Sequence, residues 1–260
     1  MSEMALPPPP ESRRRFRMAT ISFLAGLSQI AFHPTIYKTP VYNSRTDFVP
    51  VAMIVEQPFL LVTRIDFPAN NLQEFIAYVK ANQGKLQYGS GAGSGSGNHL
   101  SCELFNAAIG VKVTHVSYRD IGPLTQDMLA SRIDYQCPLP GTMIPLIETK
   151  KVKGIATLGK IRLAALPNLA SAHEQGLAEF DVPNWYAFFM PKDTPDPVVR
   201  KLNQATIATL DTPSVQQRLG ALAATIVAPE RRSPAYLQKF VAGEIEKWAA
   251  PIKAAGVLIE

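Results

Sequence analysis

Cysteine is nearly absent from this chain, which holds only Cys102 and Cys137. One falls on an expected helix and the other at an expected strand end. Two cysteines define no disulfide framework, so they read as buried thiols. Histidine is scarce too, and residues His33, His99, His115 and His173 show no metal-ligand spacing. No stretch of about 20 apolar residues occurs, so no membrane-spanning helix is expected. Basic residues are scattered, with Arg13-Arg14-Arg15-Phe16-Arg17 the only dense run. Without a basic stripe interleaved with aromatics, nucleic acid is not an expected partner. What remains is 260 residues, 47% hydrophobic and 18% charged, with formal net charge +5. That length suits one large domain or two lobes, and the modest positive balance is compatible with small anionic ligands.

The stretch from Tyr88 to Phe105 is the most informative one present. Glycines alternating with serines follow a short extended run, Lys85 to Tyr88. Then Leu100, Leu104 and Ala108 recur at helical spacing, ahead of Gly110 as a left-handed stop. A strand, a glycine loop and a helix start together expose backbone N–H groups with no intrahelical partner, at the positive end of the helix dipole. Such a site suits a carboxylate or phosphate. Ser94, Ser96 and Asn98 are side-chain donors for it, or caps for the helix.

Other readings of this loop fail on spacing. The residues five beyond Gly89, Gly91 and Gly93 are Ser94, Ser96 and Asn98, so no dinucleotide fingerprint exists. No Gly-Lys-Ser/Thr follows the glycines, which removes a P-loop, and Ile161 replaces the hydroxyl after Gly159-Lys160. Ala92 and Ser94 stand where a nucleophile elbow needs glycine ahead of Ser94 and Ser96. An enzyme using either serine with His99 would lack a third orienting group. A flexible solvated turn is the bland alternative, and the flanking strand and helix favour a binding loop.

Residues 1–18 form a proline- and arginine-rich lead that is expected to be disordered. Ser12-Arg-Arg-Arg-Phe16 resembles a twin-arginine export signal ahead of the apolar Met18 to Phe32. The competing reading makes Thr20 to Ala25 a buried core strand closed by a Gly26 turn. Gln29 interrupts the apolar run, which favours the strand.

Further on, strands are expected at Val49–Val55, Phe59–Thr63, Val111–Val116, Ile133–Cys137 and Val152–Leu158. Helices are expected at Asn71–Asn82, Pro123–Ala130 and Leu139–Thr149. This alternation argues for an α/β fold with a mainly parallel sheet. Val182–Met190 is an aromatic strand whose Trp185, Tyr186, Phe188 and Phe189 read as core alternation or, less favoured, as a ligand-stacking surface. Thr194-Pro195, Thr212-Pro213 and Ser233-Pro234 look like capped helix starts, and Ala223–Val227 like a strand.

Several ordered blocks resemble one family. They are Asp47-Phe-Val-Pro-Val-Ala52, Gly84-Lys-Leu-Gln-Tyr-Gly-Ser90, His99-Leu-x-x-Glu-Leu-Phe105, Val116-Ser-Tyr118, Ala165-Leu-Pro167, His173-Glu174-x-Gly176, Pro191-x-x-Thr-Pro195, Glu246-Lys-Trp248 and Ala255-Gly256. Over roughly Met18 to Val257 the chain resembles the Bug-type solute receptors of tripartite tricarboxylate transporters.

The resemblance implies a two-lobed Venus flytrap of the periplasmic-binding-protein type. It implies a monomer that binds a small carboxylate in an interlobe cleft, delivers it to membrane permease subunits, and catalyses nothing with no cofactor. Residues 19–62 with 186–260 would form lobe one and residues 63–185 lobe two. Relatives carry a βαβ portion ahead of Thr20, so the first lobe is expected to be incomplete. The turn after the first strand nominates Ser28 and Gln29. The glycine loop nominates Ser90, Ser94, Gly95, Ser96 and His99, and Tyr118 is expected to face the cleft. Ser117, Arg119, Asp120 and Pro138 depart from the family's residues there. Two other readings are a regulator's ligand-sensing domain and a degenerate, non-binding paralogue.

Overall fold

The computed structural model describes residues 22–258, so the proline–arginine lead and its signal-like motif lie outside the described residues. The strand expected at Thr20–Ala25 is β1 (Phe23–Gly26) as far as it is described. It is no core strand throughout: Phe23 and Leu24 are 40% and 60% exposed, because β1 pairs only with β8 (Pro183–Pro191) at the sheet edge. A π-helical turn, Ser28–Phe32, follows directly and runs into the short helix α1 (His33–Ile36). Ile30, Ala31 and Phe32 anchor it in the core.

The long strand β2 (Phe48–Pro58) is separated from β3 (Leu60–Arg64) only by Phe59. Val51 to Val55 and Leu60 to Thr63 are buried in unbroken runs, as expected of strands covered on both faces. Next come α2 (Leu72–Ala81), β4 (Gln87–Ser90), α3 (Gly97–Ala108), β5 (Thr114–Ser117), α4 (Ile121–Leu129), β6 (Tyr135–Gln136), α5 (Pro140–Glu148) and β7 (Val152–Thr157). Helix α2 starts where sequence placed it: the Asn71 side chain accepts the Glu74 N–H at 2.9 Å, and Leu72, Phe75 and Val79 are buried. After β8 come α6 (Asp196–Leu210), α7 (Pro213–Ala221), the two-residue strand β9 (Thr225–Ile226) and the long α8 (Pro234–Ala255). Of the three hydroxyl–proline starts, only Ser233 caps, accepting the Tyr236 N–H at 3.1 Å. Thr194 and Thr212 instead donate their hydroxyls back to the Pro191 and Thr209 carbonyls.

The strands form two sheets, ordered β1-β8-β2-β9 and β5-β4-β6-β3-β7. The expectation of a mainly parallel sheet is corrected. Every ladder of the first sheet is antiparallel, and in the second only β5-β4-β6 is parallel. The reason lies in the crossing. Because β2 and β3 are one nearly continuous run, β3 inherits its direction from the first sheet. The return path through β8 puts Pro183 opposite Pro58, with Asn184 opposite Gln57.

Trp185, Phe189, Phe32 and Trp248 share one core with Phe75, Phe105, Tyr88 and Tyr135. Within it, the Glu244 carboxylate accepts the indole N–H groups of Trp185 (3.2 Å) and Trp248 (3.0 Å). The alternation along β8 is real: Trp185 and Phe189 point into the core, whereas Tyr186 and Phe188 line cavities on the other face. The two cysteines are also corrected. Cys102 on α3 and Cys137 after β6, both fully buried, form a disulfide with Cα atoms 5.4 Å apart.

Candidate functional site

Ser28, Gln29, Ser94, Gly95 and Ser96 come from two segments well apart in sequence and line one cavity of about 350 Å3. Strand β4 delivers the glycine loop, and α3 starts directly behind it. Gly95 has φ +83°, a left-handed conformation that costs glycine little and other residues more. At Gly91 a Cβ would lie 2.9 Å from the Ile121 backbone, so the loop sits tight against the start of α4.

Much of the loop's donor capacity is used internally. The Gly93 N–H reaches the Tyr118 carbonyl at 2.9 Å, the Gly95 N–H reaches His99 Nδ1 at 3.0 Å, and the Ser96 N–H approaches the Gly93 carbonyl at 3.4 Å. Ser96 is the N-cap of α3. Its hydroxyl accepts the His99 N–H at 3.3 Å and donates to the Gly91 carbonyl at 3.0 Å. The hydroxyl proton of Ser96 is therefore engaged, and its part is to shape the loop. The N–H groups of Ser94, Gly97 and Asn98 have no acceptor among the described residues, and all three residues line the cavity. They carry the positive end of a 12-residue helix.

Three nominated residues stand elsewhere. Ser90 is fully buried and hydrogen-bonds His115 Nε2 at 2.8 Å. His99 supports the loop from behind, its ring stacked on His115 with centroids 4.0 Å apart. Burial, and then His115, push its pKa down to about 3, so it is a neutral acceptor for the Gly95 N–H rather than a cationic donor to a ligand. Tyr118 turns away from the cavity because its hydroxyl donates to Asp127 at 2.7 Å, and Asp127 also holds Arg132. Ser90 and His115 form a serine–histidine pair, but neither lines the cavity, so this pair does not face a molecule bound there.

The structure adds residues that the motifs did not nominate. His33 and Asn184 are 7% and 4% exposed and line the same cavity, yet His33 Nδ1 and Asn184 Nδ2 have no hydrogen-bond partner among the described residues. A buried polar atom left so costs about 1–3 kcal/mol, which a ligand acceptor removes. Burial lowers the His33 pKa, which favours the neutral ring, and the ring stacks on Tyr42 at 3.9 Å. The Tyr42 hydroxyl, its pKa pushed up to about 12 by burial and by Tyr37, donates to the Gln29 carbonyl at 2.6 Å. Gln29 Oε1 in turn accepts the Gly26 N–H at 3.2 Å, which fixes the turn. Among the described residues, no Asp, Glu, Lys or Arg lines this cavity. The arrangement offers neutral donors and a helix terminus, and no carboxylate to repel an anion.

The sequence profile described as the tripartite tricarboxylate transporter family receptor matches residues 20–257. The chain belongs to this family. It is 32% identical over 227 residues to the UPF0065 protein in the TAR-I ttuE-ttuC' intergenic region of Agrobacterium vitis, covering 87% of this chain and 65% of that protein. The chain thus spans less than two thirds of that curated relative's length. The solved structure of the periplasmic binding protein BugD superposes with TM-score 0.84 at 31% identity, covering 94% of this chain and 83% of BugD. MatC from Rhodopseudomonas palustris with bound malate gives TM-score 0.82 at 31% identity, over 91% of this chain and 82% of MatC. The fold is that of two-lobed periplasmic binding proteins, and the family is one of receptors rather than enzymes.

Proposed function

We propose that this chain is the solute receptor of a tripartite tricarboxylate-type transporter, capturing a small carboxylate between two lobes and presenting it to membrane permease subunits. The observation that carries this reading is the pair of unpartnered buried atoms, Asn184 Nδ2 and His33 Nδ1, in the same cavity as the free N–H groups at the start of α3. The bound malate of the MatC structure is a ligand of the chemistry expected here. We assign residues 19–62 and 186–260 to one lobe and 63–185 to the other; the chain changes sheet at Phe59 and just before Pro183, a few residues ahead of each of these bounds. The site residues of this reading are Ser28, Gln29, Ser94, Gly95 and Ser96, joined by His33 and Asn184. A periplasmic location is supported by the buried Cys102–Cys137 disulfide, which an oxidising compartment preserves.

Calorimetric titration with malate, succinate and citrate tests the reading against the matching neutral amides. Charge-assisted bonds exceed neutral ones by about 1 kcal/mol each, so the acids should bind about tenfold more tightly or better. Equal affinity for acid and amide would remove the anion site.

A further inference from the structure

The polar cavity does not end at its polar walls. Leu139 and Tyr186 line it and also line an adjoining groove of about 760 Å3, which runs between α5 and the outer face of the first sheet. That volume is in the range of pockets for organic ligands, about 300–1,000 Å3. Its walls include Ile54, Phe188, Leu202, Leu210, Leu219 and Leu222, and among the described residues no charged one lines it. The Thr206 and Thr209 hydroxyls in the wall donate at 2.8 Å to the Leu202 and Ala205 carbonyls of their own helix, so they are not free donors to the groove. Leu24 and Leu222, at its rim, are 60% and 52% exposed.

An apolar groove that shares two wall residues with an anion site has the shape of a site for an amphipathic acid. Resting on the carboxylate reading given above, we propose that the preferred ligand is a monocarboxylate with an extended aliphatic body. Its carboxylate meets Asn184 and the α3 N-terminus, and its chain lies past Leu139 and Tyr186 along the groove. Continuity favours this occupant over a second protein copy, because one small molecule then satisfies the unpartnered donors and covers the apolar wall together.

The test is a calorimetric series on the full chain with butanoate, hexanoate, octanoate and decanoate, with malate and octanamide alongside. Affinity should rise about fourfold per added methylene while the chain stays inside the groove. Ala205→Trp, which places a large ring in the groove from an exposed helix position, should remove that rise, and so should Leu222→Asp. A flat series with malate still bound would overturn this inference and leave the receptor reading standing. No binding by any acid would overturn both. Equal affinity for octanoate and octanamide would overturn the amphipathic assignment. A dimer in sedimentation that Leu222→Asp disperses would give the groove to a second copy and would likewise overturn it.

Discussion

Reducing the disulfide should cost this fold about 4 kcal/mol. Cys102 and Cys137 are 35 residues apart, and closing a loop of that length removes about 13 cal/mol/K from the unfolded chain, which is about 4 kcal/mol at room temperature. Both cysteines are fully buried, and the bridge ties α3, whose first turn forms the candidate site, to the segment that carries Leu139 into the cavity. Removing it therefore loosens one wall against another as well as the whole domain. Total stability of a domain is about 5–15 kcal/mol, so the loss is a large fraction of it. Urea denaturation with and without reductant, matched by Cys102→Ala with Cys137→Ala, reads the difference. The melting temperature should fall by about 8–16 °C. Thiol titration of the native protein should find no free thiol. A shift below about 1 kcal/mol in fully reduced protein would refute the reasoning, because the bridge would then not be restraining that loop in the unfolded state.

Asn184→Leu should weaken malate-class binding about tenfold, and it should leave thermal stability unchanged or raised because it removes a buried unpaired donor; a loss of stability with unchanged affinity would show that Asn184 is structural. Ser96→Ala should cost about 1 kcal/mol in denaturation through the lost cap of α3, and its effect on affinity should follow from the loosened loop alone. Stability should fall as pH drops through the window between about 6.5 and about 3. His99 stays neutral there in the folded chain while the unfolded chain takes up a proton, a slope of about 1.4 kcal/mol per pH unit. Glu103, whose carboxyl burial holds above its ordinary value, acts in the opposite sense. His99→Gln should flatten the profile measured by urea denaturation across that range.

The local code was readable where contacts are local. The strand–glycine loop–helix unit, the helix starting at Asn71 and the left-handed Gly110 at φ +72° follow from neighbouring residues, and sequence placed them correctly. Of the five residues that share the cavity, Ser94, Gly95 and Ser96 came from the glycine loop that the sequence pattern marked, and Ser28 and Gln29 from the family resemblance alone. What escaped was settled by distant partners. His33 and Asn184 line the same cavity as the loop, Asn184 because β8 returns beside β2, and no local pattern signals that. Tyr118 was expected at the cleft from the family resemblance, yet Asp127 on α4 claims its hydroxyl. The cysteine pair escaped for the same reason, since Cys102 and Cys137 lie on separate elements brought together by the sheet. The antiparallel ladders followed from the continuity of β2 and β3, a property of the chain's path rather than of its composition.

The facing prolines Pro58 and Pro183 have a mechanical meaning. Both crossings leave the first sheet at this point, and neither proline has an N–H to donate. The pair cannot stitch its two strands together, so a rotation of one sheet about it breaks no hydrogen bond between them. Two steps along, Arg231 grips the Glu56 carboxylate through both terminal nitrogens at 2.5 and 2.6 Å, which clamps β2 to the turn before α8. The clamp and the unstitched pair thus stand next to Phe59 and Asn184, which line the cavity, so any strain that ligand binding puts on those two residues reaches the crossing directly.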